Sequence, residues 1–181
     1  MSNTFLYVKI IYAKSQLSDK MYKTNISPRI GDTDGLRHIN NTVLPIWFET
    51  ARTPLFRIFV PNLELTYKKW NLIMVHADFN FLKQIFFGYD VEIRTYITKI
   101  GNSSCTVFQE AWQNGELTAN GSTILVYFDF IKQESQTIPP NIREELKKHF
   151  ITKEELEKNN KQEMMENKNK PIDLNYVDAD K

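Results

Sequence analysis

Apolar residues recur along this chain with two different periods, and the change between them divides it. Val43, Leu44, Trp47, Phe48, Ala51, Leu55, Ile58 and Phe59 fall three or four residues apart. That spacing predicts a helix near residues 42–59, with an apolar face wide enough to be covered on more than one side. Asn40 and Asn41 precede it, and either can cap its start. Pro45 lies in the first turn, where its missing N–H costs little, whereas Pro54 should kink the helix or end it early and Pro61-Asn62 should stop it. From Leu72 the period becomes two: Ala77, Phe79 and Phe81 alternate with Asp78 and Asn80, and Val91, Ile93 and Ile97 alternate with Glu92, Arg94 and Thr98. Segments 104–113 and 116–131 flank Asn114-Gly115, the strongest hairpin signal in the chain. Gly121, inside the last of these strands, marks an expected bulge.

A strand over Met21–Arg29 precedes the helix, and a polar, turn-prone loop, Gly31 to His38, joins the two. After Pro139-Pro140, Asn141 can cap a short helix reaching Phe150. The order is strand, long helix, four-strand antiparallel meander, short helix. One helix covers a strongly twisted sheet only if the sheet curls around it, which points to an α+β domain. The expected division is an extension over residues 1–20, the domain over 21–150 and a solvated polar tail over 151–181, where Glu, Lys, Asn and Gln dominate.

Composition narrows the chemistry. With 23 basic against 22 acidic residues, the net charge of +1 supplies no long-range attraction to nucleic acid or an anionic membrane. The single cysteine, Cys105, permits no internal disulfide and reads as a buried structural thiol. Zinc-site spacings, the Gly-x-Ser-x-Gly elbow and phosphate-cradling glycine loops are missing, so no metal or bound cofactor is expected. The apolar patch Phe5–Ala13 is interrupted by Lys9 and lacks a basic lead, and no run approaches the about 20 residues of a membrane span. The expected setting is cytoplasmic.

The stretch Gly31-Asp32-Thr33-Asp34-Gly35-Leu36-Arg37-His38-Ile39-Asn40-Asn41, followed by Trp47-Phe48-Glu49-Thr50-Ala51-Arg52, resembles the signature of the 4-hydroxybenzoyl-CoA thioesterase-like branch of the hot-dog superfamily. There an Asp-x-Asp loop leads through His-Val-Asn-Asn into a central helix. His76-Ala77-Asp78, Gly88-Tyr89-Asp90-Val91-Glu92, Ile100-Gly101-Asn102-Ser103-Ser104 and Val126-Tyr127-Phe128-Asp129 are similar to the strand starts and turns that follow. The resemblance spans about Met21 to Phe150. It implies a single hot-dog domain, an antiparallel sheet of about five strands wrapped around a long helix, acting on acyl-CoA thioesters in fatty acid metabolism. It also implies a homodimer or homotetramer with sites shared between subunits.

Asp34 corresponds to the second Asp of the family pair. A carboxylate there can attack the thioester carbonyl or act as general base on water, and the sequence leaves both routes open. The N–H groups of the first helical turn are expected to be unsatisfied and to stabilise the oxyanion. His38 can polarise the carbonyl or position Asp34, while Asn40 and Asn41 can orient the helix start or donate to substrate. Asp32 fits an Asx-type role within the loop. Glu49, on the helix, is the rival carboxylate, because a related branch uses one there; its plainer role is an i,i+3 ion pair with Arg52. Gly101, Asn102, Ser103 and Ser104 of a partner subunit are expected to hold the pantetheine arm. Arg37 stands where relatives often have Gly, and can crowd the loop or reach a phosphate. Leu44 replaces a frequent Tyr, which removes any role for that hydroxyl. Acyl carrier protein is the alternative thioester partner, with Lys68, Lys69, Lys83 and Lys99 as its rim. An enoyl-thioester hydratase and a non-catalytic acyl-CoA-binding protein are the remaining readings. The hydratase would form a 3-hydroxyacyl product, and the binding protein would release no thiol.

Overall fold

The computed structural model describes residues 19–168. The Phe5–Ala13 patch and the segment after Lys168 lie outside them. Five antiparallel strands form the sheet: β1 (Tyr22–Ile26), β2 (Leu72–Phe81), β3 (Val91–Ile100), β4 (Ser104–Gln113) and β5 (Glu116–Asp129). Their order is β1-β3-β4-β5-β2, and a two-residue strand, β6 (Glu134–Ser135), pairs with the end of β5. The period-two segments all became strands. Asn114 and Gly115 both take positive φ, 53° and 77°, so the β4–β5 hairpin turns through two left-handed residues as its sequence requires.

The helix breaks where its proline dictates. It runs as α1 (Val43–Ala51), pauses at Arg52, and resumes as α2 (Thr53–Phe59) with Pro54 in the first turn. Leu44, Phe48, Ala51 and Leu55 are all 1% exposed or less, and they pack with Val91, Ile93, Val107 and Ala111 on the concave side of the sheet. The helix is therefore enclosed rather than laid on a flat sheet, which accounts for its broad apolar face. Cys105 joins this core, where burial pushes its thiol up to about 12, in keeping with a structural role.

Three local expectations are corrected. Gly121 is regularly paired with Phe79 and Gln109, so it marks no bulge; the irregularity in β5 falls between Leu117 and Ala119 instead. Gly121 is needed because the backbone of β2 and the ring of Phe48 approach it closely. The short helix α3 (Pro140–Lys148) is capped by Pro139 with no side-chain bond, not by Asn141, because Pro140 already supplies a helical first residue.

The third correction is larger. Residues 153–168, expected as part of a solvated tail, form helix α4 (Lys153–Lys168) against the outer face of the sheet. Thr152 and Glu155 make a reciprocal capping box, Thr152 N–H to Glu155 Oε2 at 3.0 Å and Glu155 N–H to Thr152 Oγ1 at 3.2 Å. Ile151 and Leu156 bury themselves against Tyr96. The remaining anchors are polar. Arg94 lies 4.3 Å over the Trp112 ring and makes a two-pronged pair with Glu163, both bonds 2.7 Å. Buried Glu110 accepts from Trp112 Nε1 at 3.0 Å and from Asn160 Nδ2. Burial raises the Glu110 carboxyl, and these donors oppose the shift. Asn167 Nδ2 donates to Gly115 O at 2.8 Å.

Because so little apolar surface holds α4, the Arg94–Glu163 pair should matter to its docking. Glu163→Ala is expected to raise amide exchange over residues 153–168 by roughly tenfold, the scale of a charge-assisted hydrogen bond of about 1.5 kcal/mol. Exchange in β4 and β5 should stay unchanged. Equal exchange in variant and wild type would mean that the pair does not hold the helix.

Candidate active site

The loop between β1 and α1 is shaped by its own backbone and by one neighbouring segment. A 3-10 turn at Ile30–Asp32 opens it. Asp32 is buried, and its carboxylate accepts from the Arg29 N–H at 2.8 Å and from the Arg29 guanidinium at 2.9 Å. It therefore ties the turn backwards to Arg29, not through an Asx turn of its own. These bonds with Arg29 hold the Asp32 carboxyl below its ordinary value of 3.8. A depressed folded-state pKa contributes stability that is present above the unfolded value and is lost as pH falls through the folded one. Acid unfolding below pH 4 should thus be shallower in Asp32→Asn than in wild type, as followed by circular dichroism. Superimposable acid limbs would count against this contribution.

Past Asp32 the chain folds over itself. Asp34 N–H donates to His38 O at 3.0 Å, Asn40 N–H to Asp32 O at 2.8 Å, and Thr33 bridges to Ile39. The segment after β2 clamps the far side. Ile39 N–H donates to Ile85 O at 2.8 Å, Phe87 N–H to Arg37 O at 3.0 Å, and Phe86 N–H to the Gln113 side chain at 2.9 Å. Arg37 holds a φ of 65°, which explains why glycine suits this position. Its side chain is exposed.

The result is one hollow of about 470 Å³, lined by Asp34, His38, Ile39, Asn40, Asn41, Leu44 and residues 81–85. Asp34 is exposed; its Oδ1 accepts the Leu36 N–H at 2.9 Å in an Asx turn, which fixes the carboxylate. The link between Asp34 and His38 runs through the main chain, and the His38 ring packs edge-on against Phe86 at 5.1 Å. Thr42 stands at the N-cap of α1 with no side-chain cap bond, and Asn40 braces it from two residues ahead. The Asn40 Oδ1 accepts from the Thr42 N–H at 3.0 Å and from the Thr42 hydroxyl at 2.8 Å, and its main-chain O takes the Val43 N–H at 3.0 Å. The expectation of a wholly open first turn is corrected accordingly, since Asn40 satisfies two donors at the helix start. Asn41 is exposed beside the hollow, and no hydrogen bond holds its side-chain amide among the described residues.

Other anticipated residues lie elsewhere. Glu49 is exposed and lines a different hollow of about 510 Å³ with Thr53, Phe56, Trp70, Leu72 and Met74. It makes no ion pair with Arg52 among the described residues. Arg52 turns into the core, where Nη1 donates to Gln109 Oε1 at 2.9 Å and Thr123 Oγ1 at 3.3 Å. Gly101–Ser104 forms the β3–β4 turn at the opposite end of the sheet from Asp34, separated by ten-residue strands of about 33 Å. Within one chain that turn does not meet Asp34. Arg143 Nη2 braces it by donating to Gly101 O at 2.8 Å. Leu82, Gln84 and Ile85 were not anticipated. Their place depends on the 85–87 segment pairing with the loop, and no local pattern announces that pairing.

An antiparallel sheet curled around a broken helix, with an acidic loop exposed at the helix start, is the hot-dog architecture. The chain belongs to the Thioesterase-like superfamily, which it matches over residues 28–146. It is similar to a predicted thioesterase from Bacillus stearothermophilus at 38% identity, covering 73% of this chain and 98% of that one, with a TM-score of 0.69. It is also similar to a thioesterase complexed with coenzyme A and Zn from Thermus thermophilus, at 25% identity, 68% and 95% coverage and a TM-score of 0.61. A hypothetical Staphylococcus aureus protein in complex with CoA shares the fold at 12% identity, 72% and 84% coverage and a TM-score of 0.63. No functionally curated protein matches the chain. Membership places it among thioester hydrolases. No described helix is long and apolar enough to cross a membrane.

Proposed function

We propose that this chain hydrolyses acyl-CoA thioesters to a free carboxylic acid and CoA, with Asp34 as the catalytic carboxylate. The observation that carries this reading is the convergence of Asp34, His38, Asn40 and Asn41 on one hollow at the start of α1. On the general-base route Asp34 takes a proton from water while the water oxygen bonds to the thioester carbon. The resulting oxyanion then collapses, the C–S bond breaks, and CoA leaves as thiolate to regain a proton. On the nucleophilic route an Asp34 oxygen makes that first bond, and water cleaves the mixed anhydride. The Asn41 amide and the remaining helix-start N–H groups are the donors for the oxyanion.

The hollow is open, and an apolar acyl group needs further cover. Support for a second subunit comes from β2, which among the described residues pairs only with β5. Along it Met74 and Val75 are 54% and 58% exposed, an uncovered apolar edge of the kind that pairing between copies would remove. A homodimer joined there would bring the β3–β4 turn of one subunit toward Asp34 of the other.

The test is a panel of acyl-CoA thioesters of varied chain length, with free thiol detected as it forms. Steady thiol release with equimolar carboxylic acid is the expected result. Stoichiometric binding without release would make the chain a binding protein, and a 3-hydroxyacyl product would make it a hydratase.

A further inference from the structure

Three aromatic residues and three lysines meet at the β3–β4 turn end of the sheet, in a place that the chemistry at Asp34 does not use. A hollow of about 550 Å³ is lined by Leu65, Thr66, Tyr67, Trp70 and Phe130. A second, of about 590 Å³, shares Tyr67, Trp70 and Phe130 and adds Lys68, Lys69, Lys132 and Thr137. Each volume lies within the range of about 300–1,000 Å³ common to small-molecule sites. We propose that this double cleft binds the adenine nucleotide of coenzyme A, with the base against the Tyr67, Trp70 and Phe130 rings and the phosphates among the three lysines. This inference rests on the acyl-CoA reading above and names the part of the substrate that reading leaves unplaced.

Four observations carry it. Tyr67 is 77% exposed and Leu65 80%, a large apolar area to leave in water on one short loop. The rings are preset: Phe130 lies edge-on to Phe128 at 5.1 Å and to Tyr67 at 6.3 Å, and the Trp70 indole is tied to Leu72 O at 2.8 Å. A purine laid on them gains stacking that is indifferent to base sequence. The adjoining charge is mainly positive. Lys68 and Lys69 are exposed and make no ion pair among the described residues, and Lys132 stands 4.0 Å from Asp129 with its side chain 62% exposed. Asp129 is the one carboxylate in the cleft, and its Oδ1 is already occupied by the Ile131 and Lys132 N–H groups at 2.9 and 3.0 Å.

The fourth observation is position. Thr137, in the second hollow, accepts from Asn102 Nδ2 at 3.2 Å, and Ile138 N–H donates to Asn102 O at 2.9 Å. The cleft is therefore stitched to the turn expected to hold the pantetheine arm, and the nucleotide is the next part of the same molecule. Aromatic faces and a lysine cluster side by side suit a phosphorylated purine. A carrier protein would engage the lysines and leave the aromatic cleft empty.

The test uses the full chain, the best acyl-CoA substrate and the matching N-acetylcysteamine thioester, which lacks the nucleotide. Adenosine 3′,5′-bisphosphate serves as the probe. In wild type the probe should compete with acyl-CoA and quench Trp70, whereas Trp47 and Trp112 are buried. The K68A/K69A/K132A variant, and separately Tyr67→Ala, should each raise KM for acyl-CoA about tenfold or more, with kcat within about twofold. KM for the short thioester should not move. An unchanged acyl-CoA KM in both variants overturns the inference while leaving the hydrolase intact. So does a lysine effect confined to carrier-protein thioesters. If wild type hydrolyses no acyl-CoA yet binds the probe in a Tyr67- and lysine-dependent way, the cleft stands and the hydrolase reading falls.

Discussion

Asp34→Asn is expected to fold as wild type does and to lose turnover by about 100-fold or more, the usual scale for removing a general base. The amide is nearly the same size and can keep the bond from the Leu36 N–H that fixes the carboxylate, at 2.9 Å. The loop should therefore keep its shape, and the loss should fall on kcat, with little change in KM. Glu49→Gln should do much less, because Glu49 lines a separate hollow on the exposed face of α1. His38→Ala should fall between them. It leaves the main-chain bond from Asp34 N–H to His38 O in place but removes the ring that packs on Phe86. Label found in the Asp34 side chain after single-turnover hydrolysis in ¹⁸O-labelled water would establish the nucleophilic route, since it enters there only when that carboxylate has attacked and water then cleaves the anhydride at the Asp34 carbonyl. Wild-type turnover in Asp34→Asn together with abolished turnover in Glu49→Gln would transfer the catalytic role to the helix carboxylate.

The largest effect on stability should come from one added methyl group. A Cβ at Gly121 would stand 2.3 Å from Asp78 O and 3.3 Å from both the Phe48 and Phe79 rings. The first of these contacts is with backbone, so no side-chain rotation relieves it. β2 would have to move away from β5 along a stretch where Phe79 and Gly121 are directly paired, or α1 would have to withdraw Phe48 from the core. Gly121→Ala should lower unfolding free energy by about 3 kcal/mol, the upper end of the usual cost of overpacking a core. Gly31→Ala is the control. Nothing lies within 4 Å of its added carbon, and the expected change is within about 0.5 kcal/mol. Urea unfolding of both variants checks the pair, and equal midpoints would show that the sheet yields at Gly121 without strain.

Some features of this protein were legible residue by residue because short-range physics decides them. The two-residue alternation marks strands, since successive side chains point to opposite faces. Asn114-Gly115 marks a hairpin, since both positions need positive φ. Pro54 breaks the helix two residues after Arg52 begins the pause, since a proline ring clashes with the preceding turn. The Asp34 loop was legible because its spacing resembles a family signature. The capping box of α4 was also written in the chain, as Thr152 followed three residues later by Glu155. The polar composition around it pointed instead to a solvated tail. Composition cannot tell whether a polar helix finds a charged partner on a sheet far away in sequence, and here Arg94 and Glu110 are that partner.

Tertiary structure alone decided the rest. Arg52 and Glu49 are spaced for an ion pair, yet the kink at Arg52 turns its guanidinium inward to Gln109 and Thr123. The hollow at Asp34 is walled on one side by residues 81–85, brought there by hydrogen bonds from Ile39 and Phe87 that join segments more than forty residues apart. Gly121 looked like a bulge, and only the approach of Asp78 and Phe48 shows what it makes room for. The sequence by itself thus determined the five main strands, the broken central helix and the loop that carries the carboxylate, but not the docking of α4. Packing decided which side chains meet, because burial and hydrogen bonding between distant segments depend on the closed sheet and leave no local pattern to read.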